Sequence, residues 1–136
     1  MTVFPLKIAV SLTCIALLLA RCEPNTYREG ERLYQIRCAN CHLDEGQGLG
    51  ALIPPLAGAG DYLRLNRDKL PCILKYGLTD TITVKGIKYA ESMPGVPELS
   101  AIQITNILNF VNTSWGNQQP VFQLDEVRRM LDNCPK

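Results

Sequence analysis

The chain has 136 residues, of which 46% are hydrophobic and 20% are charged, and it contains six cysteines and one histidine. This length suits one domain with a core of its own, and the apolar fraction excludes a wholly disordered chain. Fourteen basic residues against thirteen acidic ones give a net charge of +1. That balance argues against nucleic acid as a partner, because nucleic-acid binding needs a basic surface.

The N-terminal segment is short and apolar. Lys7 precedes an almost unbroken apolar run over residues 8–20, which is shorter than the roughly 20 residues that span a membrane. Such a run after a basic residue is typical of a secretory signal. Residues 1–21 are therefore predicted to be a signal peptide or, if uncleaved, a membrane anchor, with a buried first helix as the alternative. Residues 22–136 would then form an extracytoplasmic, periplasmic domain.

The end of this segment resembles the lipidation site of bacterial lipoproteins, in which a cysteine carries the lipid. The run ends Leu-Leu-Ala-Arg-Cys at residues 18–22, and Arg21 stands where the lipoprotein pattern has a small residue. Cys22 is therefore a candidate lipid anchor to the membrane. Ordinary cleavage to a free periplasmic protein is the alternative.

The chemistry is expected at residues 38–42, whose sequence is Cys-Ala-Asn-Cys-His. This is the pattern of covalent haem attachment. Cys38 and Cys41 at a helix end can form thioethers with two vinyl groups on one edge of the porphyrin, and His42 can then donate a nitrogen to the iron. The pattern predicts one covalently bound haem c.

Two other uses of a Cys-x-x-Cys pair fit the chain less well. A redox dithiol favours a βαβ context, which the pattern of elements does not predict. A zinc site needs two further ligands, and the chain has no second histidine. Zinc would have to recruit Cys72 and Cys134, which are far away in sequence and form no second knuckle. These two cysteines remain unassigned, and in an exported chain they are candidates for a disulfide.

The chain resembles the class I cytochromes c over more than this pentapeptide. Gly30 and Tyr34 precede Cys38 at spacings of four, so the three share one helix face. In that family the glycine lets the first and last helices cross closely. The resemblance implies an all-α cytochrome c fold of about four to five helices around one haem, with a small β-hairpin before the axial methionine.

A stretch rich in glycine and proline follows the pentapeptide, at residues 46–58, and it cannot form regular helix or strand. It resembles the haem-wrapping loop of the same family. The resemblance implies that the carbonyl of Pro54 accepts a hydrogen bond from Nδ1–H of His42, which would fix the tautomer with Nε2 facing the iron. Pro55 is the alternative for this role.

The sixth iron ligand has few candidates, because His42 is the only histidine. Met1 lies in the predicted signal, and Met130 falls in a helical pattern that indicates ordinary packing. Met93 is followed by Pro94, which disfavours helical geometry at Met93. The Met-Pro-Gly segment also resembles the distal loop of the family. Met93 is therefore predicted to be the axial ligand opposite His42.

The remaining elements are predicted to pack around this site. We expect helices over residues 26–41, 60–65 and 66–76, and a hairpin that turns at Lys85 and Gly86. Ser100 and Gln103 form a capping-box pattern that begins a further helix, with Phe110 as the aromatic neighbour of Gly30 and Tyr34. Apolar positions at helical spacing mark its core face: Ile104, Ile107, Leu108, Val111 and Trp115.

The C-terminal residues 117–136 are predicted to be a short helical extension. Residues 117–123 form a linker in this interpretation, and a last helix carries Leu124, Val127, Leu131 and Cys134 on one face. If the extension folds back, Cys134 could bridge Cys72.

A haem with both axial positions filled by protein can only gain and lose an electron. The predicted function is therefore that of an electron carrier and not of an enzyme, with redox proteins such as a quinol-oxidising complex, a terminal oxidase or a periplasmic dehydrogenase as partners. Two alternatives remain open. An open distal site could bind a small gas or peroxide. Alternatively, the chain could be a cytochrome subunit of a larger respiratory or dehydrogenase complex. An electron carrier is expected to be a monomer.

Overall fold

The computed structural model describes residues 27–135. The predicted signal peptide and Cys22 lie outside the described residues. The described part is mostly helical, and its elements follow one another in this order: α1 (Arg28–Arg37), α2 (Ala39–His42), α3 (Gly60–Leu65), α4 (Leu70–Tyr76), β1 (Gly77–Leu78), β2 (Ile82–Val84), β3 (Ile87–Tyr89), β4 (Met93–Pro94), α5 (Ala101–Thr113) and α6 (Leu124–Asp132).

The fold differs from the prediction in the number of its elements. Six helices, instead of four to five, and four short strands occur between residues 27 and 135. The predicted first helix is divided at Cys38, whose backbone (φ −120°, ψ −36°) separates α1 from α2. None of the described helices is long and apolar enough to cross a membrane.

Helices α1 and α5 cross at a position that only glycine can occupy. A Cβ atom on Gly30 would overlap the carbonyl oxygen of Asn106 and lie 2.8 Å from the Cβ of Phe110. Next to the crossing, the ring of Tyr34 lies 5.5 Å from that of Phe110 and 5.1 Å from that of Trp115. The expected cluster of Gly30, Tyr34 and Phe110 is confirmed, and all three residues are buried.

Helix α5 begins as predicted and ends earlier than predicted. The Ser100 side chain accepts from the Gln103 N–H, and the Gln103 side chain accepts from the Ser100 N–H, which completes the capping box. The helix ends at Thr113, and Trp115 has a left-handed φ of 52°. The prediction that Trp115 continues the helical face is therefore wrong, although its ring still packs against the core.

Helix α4 begins at Leu70, four residues later than expected. Pro71 falls in its first turn, where a missing N–H costs nothing because that group has no intrahelical acceptor. The helix ends at Tyr76, as predicted, and Gly77 caps this end with a left-handed φ of +88°.

Two small antiparallel sheets follow α4. The hairpin β2–β3 pairs Ile82 with Tyr89, and its turn residues Lys85 and Gly86 have φ values of 51° and 80°, as the tight hairpin turn requires. The second sheet, which was not predicted, pairs β1 with β4 and sets Leu78 opposite Met93.

The C-terminal residues pack closely against the domain. Phe122 is only 2% exposed, and the Asn109 side chain accepts from its N–H at 2.6 Å and donates to its carbonyl at 3.0 Å. The Arg67 guanidinium stacks on the Phe122 ring at 3.7 Å and pairs with Glu126 on α6 at 3.0 Å. Residues 117–123, predicted to be a linker, are therefore packed against the domain and hydrogen-bonded to it. A disulfide joins Cys72 on α4 to Cys134 after α6.

Replacing Gly30 by alanine tests the helix crossing. Alanine favours an exposed helix over glycine by about 1 kcal/mol, whereas the overlap with Asn106 costs about 1–3 kcal/mol. The difference between these two effects leads us to expect that Gly30→Ala lowers the free energy of unfolding of the holoprotein by up to about 2 kcal/mol in a denaturant titration. Ile36→Ala, at a 58% exposed position on the same helix, is the control and should have little effect. A stabilised Gly30→Ala variant would contradict the close crossing.

Removing the disulfide tests how strongly the C-terminal segment is held. The bridge closes a loop over a sequence separation of 62, and loop entropy then gives it at most about 4 kcal/mol. The Cys72→Ser/Cys134→Ser double variant should therefore lose about 2–4 kcal/mol of unfolding free energy. Peptide mapping without reductant should find the two cysteines linked in the parent protein, and free thiols at both positions would refute the bridge.

Candidate functional site

The Cys-x-x-Cys-His pentapeptide forms a turn of its own at the end of α1. The N–H groups of Cys41 and His42 donate to the carbonyl of Cys38 at 3.1 and 2.9 Å. Leu43, with a left-handed φ of 63°, ends this turn. The turn leaves Cys41 exposed and Cys38 half-buried, while His42 is 7% exposed.

The buried His42 ring is held by the loop that follows it. Its Nδ1 lies 3.1 Å from the carbonyl oxygen of Pro54. The hydrogen-bond partner is therefore Pro54 and not Pro55. Burial lowers the pKa of His42, and the hydrogen bond to Pro54 partly opposes this shift. The ring is therefore neutral at pH 7, and a donating Nδ1 leaves the lone pair on Nε2, which is the form that a metal ligand needs.

The glycine-rich loop is folded back so that Pro54 reaches His42. The Gly46 carbonyl accepts from the N–H groups of Leu56 and Ala57 at 2.7 and 2.9 Å, and the Gly48 N–H donates to the His42 carbonyl at 3.0 Å. Gly48 has a φ of +70°, and a Cβ there would lie 2.5 Å from the Ile53 carbonyl oxygen. The loop therefore needs glycine at this position for two reasons, its backbone conformation and the close approach of 53–55.

Two neighbouring cavities bring the distant site residues together. Each cavity has its own further lining, and five residues line both of them: Cys38, His42, Pro54, Leu74 and Met93. The first cavity continues among apolar and aromatic side chains from α3, α4, β2 and α5, and no charged residue of the described chain lines it. The second extends toward the surface past Arg37, Cys41 and Glu91. Together they form one apolar cleft with a single polar edge.

The cleft suits a flat, apolar prosthetic group that carries a metal. Its walls are mostly apolar, and besides the cysteine thiols its metal-binding atoms are one imidazole and one thioether. The expected ligands His42 and Met93 both line it, and Cys38 and Cys41 lie at its edge. The residues that the structure brings together therefore fit a covalently bound haem.

The structure does not favour the other two uses of the cysteine pair. Burial, with a smaller contribution from Cys41, raises the pKa of Cys38 to about 11, whereas a reactive dithiol needs a lowered pKa. Cys72 and Cys134 are joined to each other. Among residues 27–135, no group of three or more His, Cys, Asp or Glu side chains could hold a metal ion.

Met93 is positioned by elements that the sequence did not reveal. The short β1–β4 pairing sets Met93 opposite Leu78, directly after α4. A Cβ on Gly95, the residue after β4, would lie 2.6 Å from the Gly77 nitrogen, so the chain that leaves β4 passes directly against the backbone of Gly77. A glycine at the end of a helix and a second one after the methionine are the only signals of this contact, and each alone predicts a turn.

The family model of cytochrome c matches residues 27–115, and the chain belongs to the cytochrome c family. It is 34% identical to a cytochrome c-552 of Thermus thermophilus over 126 residues, which cover 87% of this chain and 84% of that protein. Cytochromes c carry covalent haem, and this chain is an electron carrier, not an enzyme.

Two further relatives are subunits of larger proteins. The chain is 36% identical over 92 residues to the cytochrome c subunit of the quinone alcohol dehydrogenase of Gluconacetobacter polyoxogenes, covering 67% of this chain and 19% of that subunit. It is 30% identical over 105 residues to the fructose dehydrogenase cytochrome subunit of Gluconobacter japonicus, covering 75% and 22%.

Two glycines of the loop offer a matched test of the His42 support. Gly48 and Gly50 both have left-handed φ values, of +70° and +55°, but a Cβ on Gly50 would meet nothing within 4 Å. We expect Gly48→Ala to lower the unfolding free energy by about 1–3 kcal/mol more than Gly50→Ala does. Only Gly48→Ala should shift the NMR resonance of the His42 Nδ1–H. Equal effects of the two changes would contradict the role of the close contact.

Proposed function

We propose that this protein is an extracytoplasmic electron carrier in which Cys38 and Cys41 hold the haem through thioethers and His42 and Met93 are its axial ligands. The observation that carries the proposal is the convergence of the pentapeptide turn and Met93 on one apolar cleft. When bound, haem supplies an iron that gains and loses one electron.

The protein's own residues would control that electron. Pro54 holds the His42 ring through Nδ1, and this hydrogen bond fixes the ring orientation and raises the basicity of Nε2. A thioether ligand, unlike a second imidazole, favours the reduced iron and raises the reduction potential. The apolar walls exclude water. Little solvent would then have to reorient when the charge on the iron changes by one electron.

Electrons would pass at the edge of the cleft where Cys41 is exposed. Exposed apolar side chains occur nearby along the sequence, at Leu49 and Leu52 in the glycine-rich loop. Redox partners meet through small, weak contacts, which permit fast turnover. A quinol-oxidising complex, a terminal oxidase and a periplasmic dehydrogenase are the classes of partner we propose.

The disulfide between Cys72 and Cys134 supports a location in an oxidising compartment. We propose that residues 1–21 direct export to the periplasm and that Cys22 is the site of a lipid anchor. A monomeric domain, 22–136, would then act at the membrane surface.

A second candidate function is that of a cytochrome subunit of a larger dehydrogenase. The similarity to the alcohol and fructose dehydrogenase cytochrome subunits favours it. Isolation from membranes of the organism that makes the protein would distinguish the two: a free carrier elutes alone, and a subunit elutes with dehydrogenase activity. The haem chemistry is the same in both.

Two methionine variants test the axial ligation. The oxidised parent should show the weak far-red absorption of a Met–iron bond. Met93→Leu should abolish this band and open the iron to carbon monoxide and cyanide. Met130→Leu, which alters a half-buried residue packed against the core, should keep the band and serves as the control.

The same preparations test the attachment. Under denaturing conditions the parent should keep one haem mass, and Cys38→Ser/Cys41→Ser should lose it. A parent that lacks the far-red band and binds cyanide at once would overturn Met93 ligation and would favour the open distal site.

A further inference from the structure

The loop that carries Met93, residues 90–100 between β3 and α5, packs against the C-terminal end of α4. After β4, the Val96 N–H donates to the Leu74 carbonyl at 2.9 Å. A Cβ on Gly95 would lie 2.7 Å from the Lys75 carbonyl oxygen, so the two backbones touch without any side chain between them. Strand β1 adds the pairing of Leu78 with Met93. These backbone contacts join the loop to α4 and to β1, the strand that follows α4.

The side chain of Lys75 binds the same loop farther along. Its Nζ donates to the carbonyl oxygens of Pro97 at 2.5 Å and Leu99 at 2.7 Å. Pro97 has no N–H to donate, and the β1–β4 pairing ends at Pro94, so no regular ladder binds the carbonyls of the segment that follows. A charged donor on a half-buried side chain supplies the missing partner for two of them.

Another side-chain contact to this loop is weaker. Arg37 pairs with Glu98 at 2.8 Å, but the two side chains are 42% and 53% exposed. Exposed ion pairs contribute little because water screens them. Lys75 therefore carries most of the side-chain restraint on the segment between Met93 and α5.

We propose that Lys75 is a positioning residue for Met93. It acts through the carbonyls of Pro97 and Leu99, which fix the loop so that the Met93 thioether stays in the cleft. Without these hydrogen bonds the loop gains conformational freedom. Binding of the Met93 thioether to the haem iron would then also have to offset the conformational entropy that the loop loses when it becomes ordered. The inference rests on the proposed axial ligation by Met93 and adds the residue that maintains it.

Imidazole binding to the oxidised protein measures this effect directly. Imidazole reaches the iron only in molecules from which Met93 has moved away, so its apparent affinity reports the fraction of open loop. Two lost charge-assisted hydrogen bonds should change that fraction at least about tenfold. We therefore expect Lys75→Leu to bind imidazole at least about tenfold more tightly than the parent does. Lys75→Arg, which keeps charged donors, should stay within about threefold of the parent.

Lys88→Leu is the matched control, because Lys88 is an exposed lysine on the hairpin strand β3. It should leave the imidazole affinity unchanged. Heating separates positioning from a general structural role: Lys75→Leu should lose the far-red band at a much lower temperature than the parent, while the far-ultraviolet helix signal melts at nearly the same temperature. Equal shifts of both transitions would mean a purely structural role and would overturn the inference.

The two proposals fail in different ways. If Lys75→Leu leaves imidazole affinity unchanged while Met93→Leu raises it strongly, Met93 is the ligand and the Lys75 inference is wrong. If the parent has no far-red band, the ligation itself is wrong. Should Lys75→Leu not accumulate as a folded protein, Lys75→Gln, which keeps an uncharged amide donor group, should give an intermediate imidazole affinity, and an affinity equal to that of the parent would refute the inference.

Discussion

The missing side chain of Gly30 sets where helices α1 and α5 of the cytochrome c domain meet. Because the Asn106 carbonyl occupies the space that a Cβ would need, α1 can lie directly on the backbone of α5. The buried rings of Tyr34 and Phe110 and the half-buried ring of Trp115 pack against one another and stabilise this arrangement. This contact fixes the C-terminal end of α1. The Cys-x-x-Cys-His turn follows directly after that end and lies at the cleft.

Local features were predictable because their causes are local. The pentapeptide, the capping box at Ser100 and the hairpin turn at Lys85 each depend on residues within a few positions of one another. The close packing of Gly30 was also predictable, through the resemblance to class I cytochromes c. The boundaries were less accurate, because the periodicity of apolar residues encodes neither the break between helices at Cys38 nor the early end of α5 before Trp115.

Contacts between segments far apart in sequence were not predictable. The pairing of β1 with β4 involves only two residues on each side, so it has no strand pattern to detect. The bonds from Lys75 depend on where the Met93 loop runs, and an isolated lysine on a short helix carries no sign of them. Residues 117–123 have a linker composition, yet Phe122 is buried beneath Arg67. In each case tertiary packing, and not composition, decides the role.

The bridge from Cys72 to Cys134 also orders events during biogenesis. Cys134 lies 62 residues after Cys72, and a chain emerges from its N-terminal end. The bridge therefore cannot fasten α4, which forms part of the cleft wall, until the chain has been made as far as Cys134. Before that moment, no covalent bond ties this wall of the cleft to the C-terminal segment.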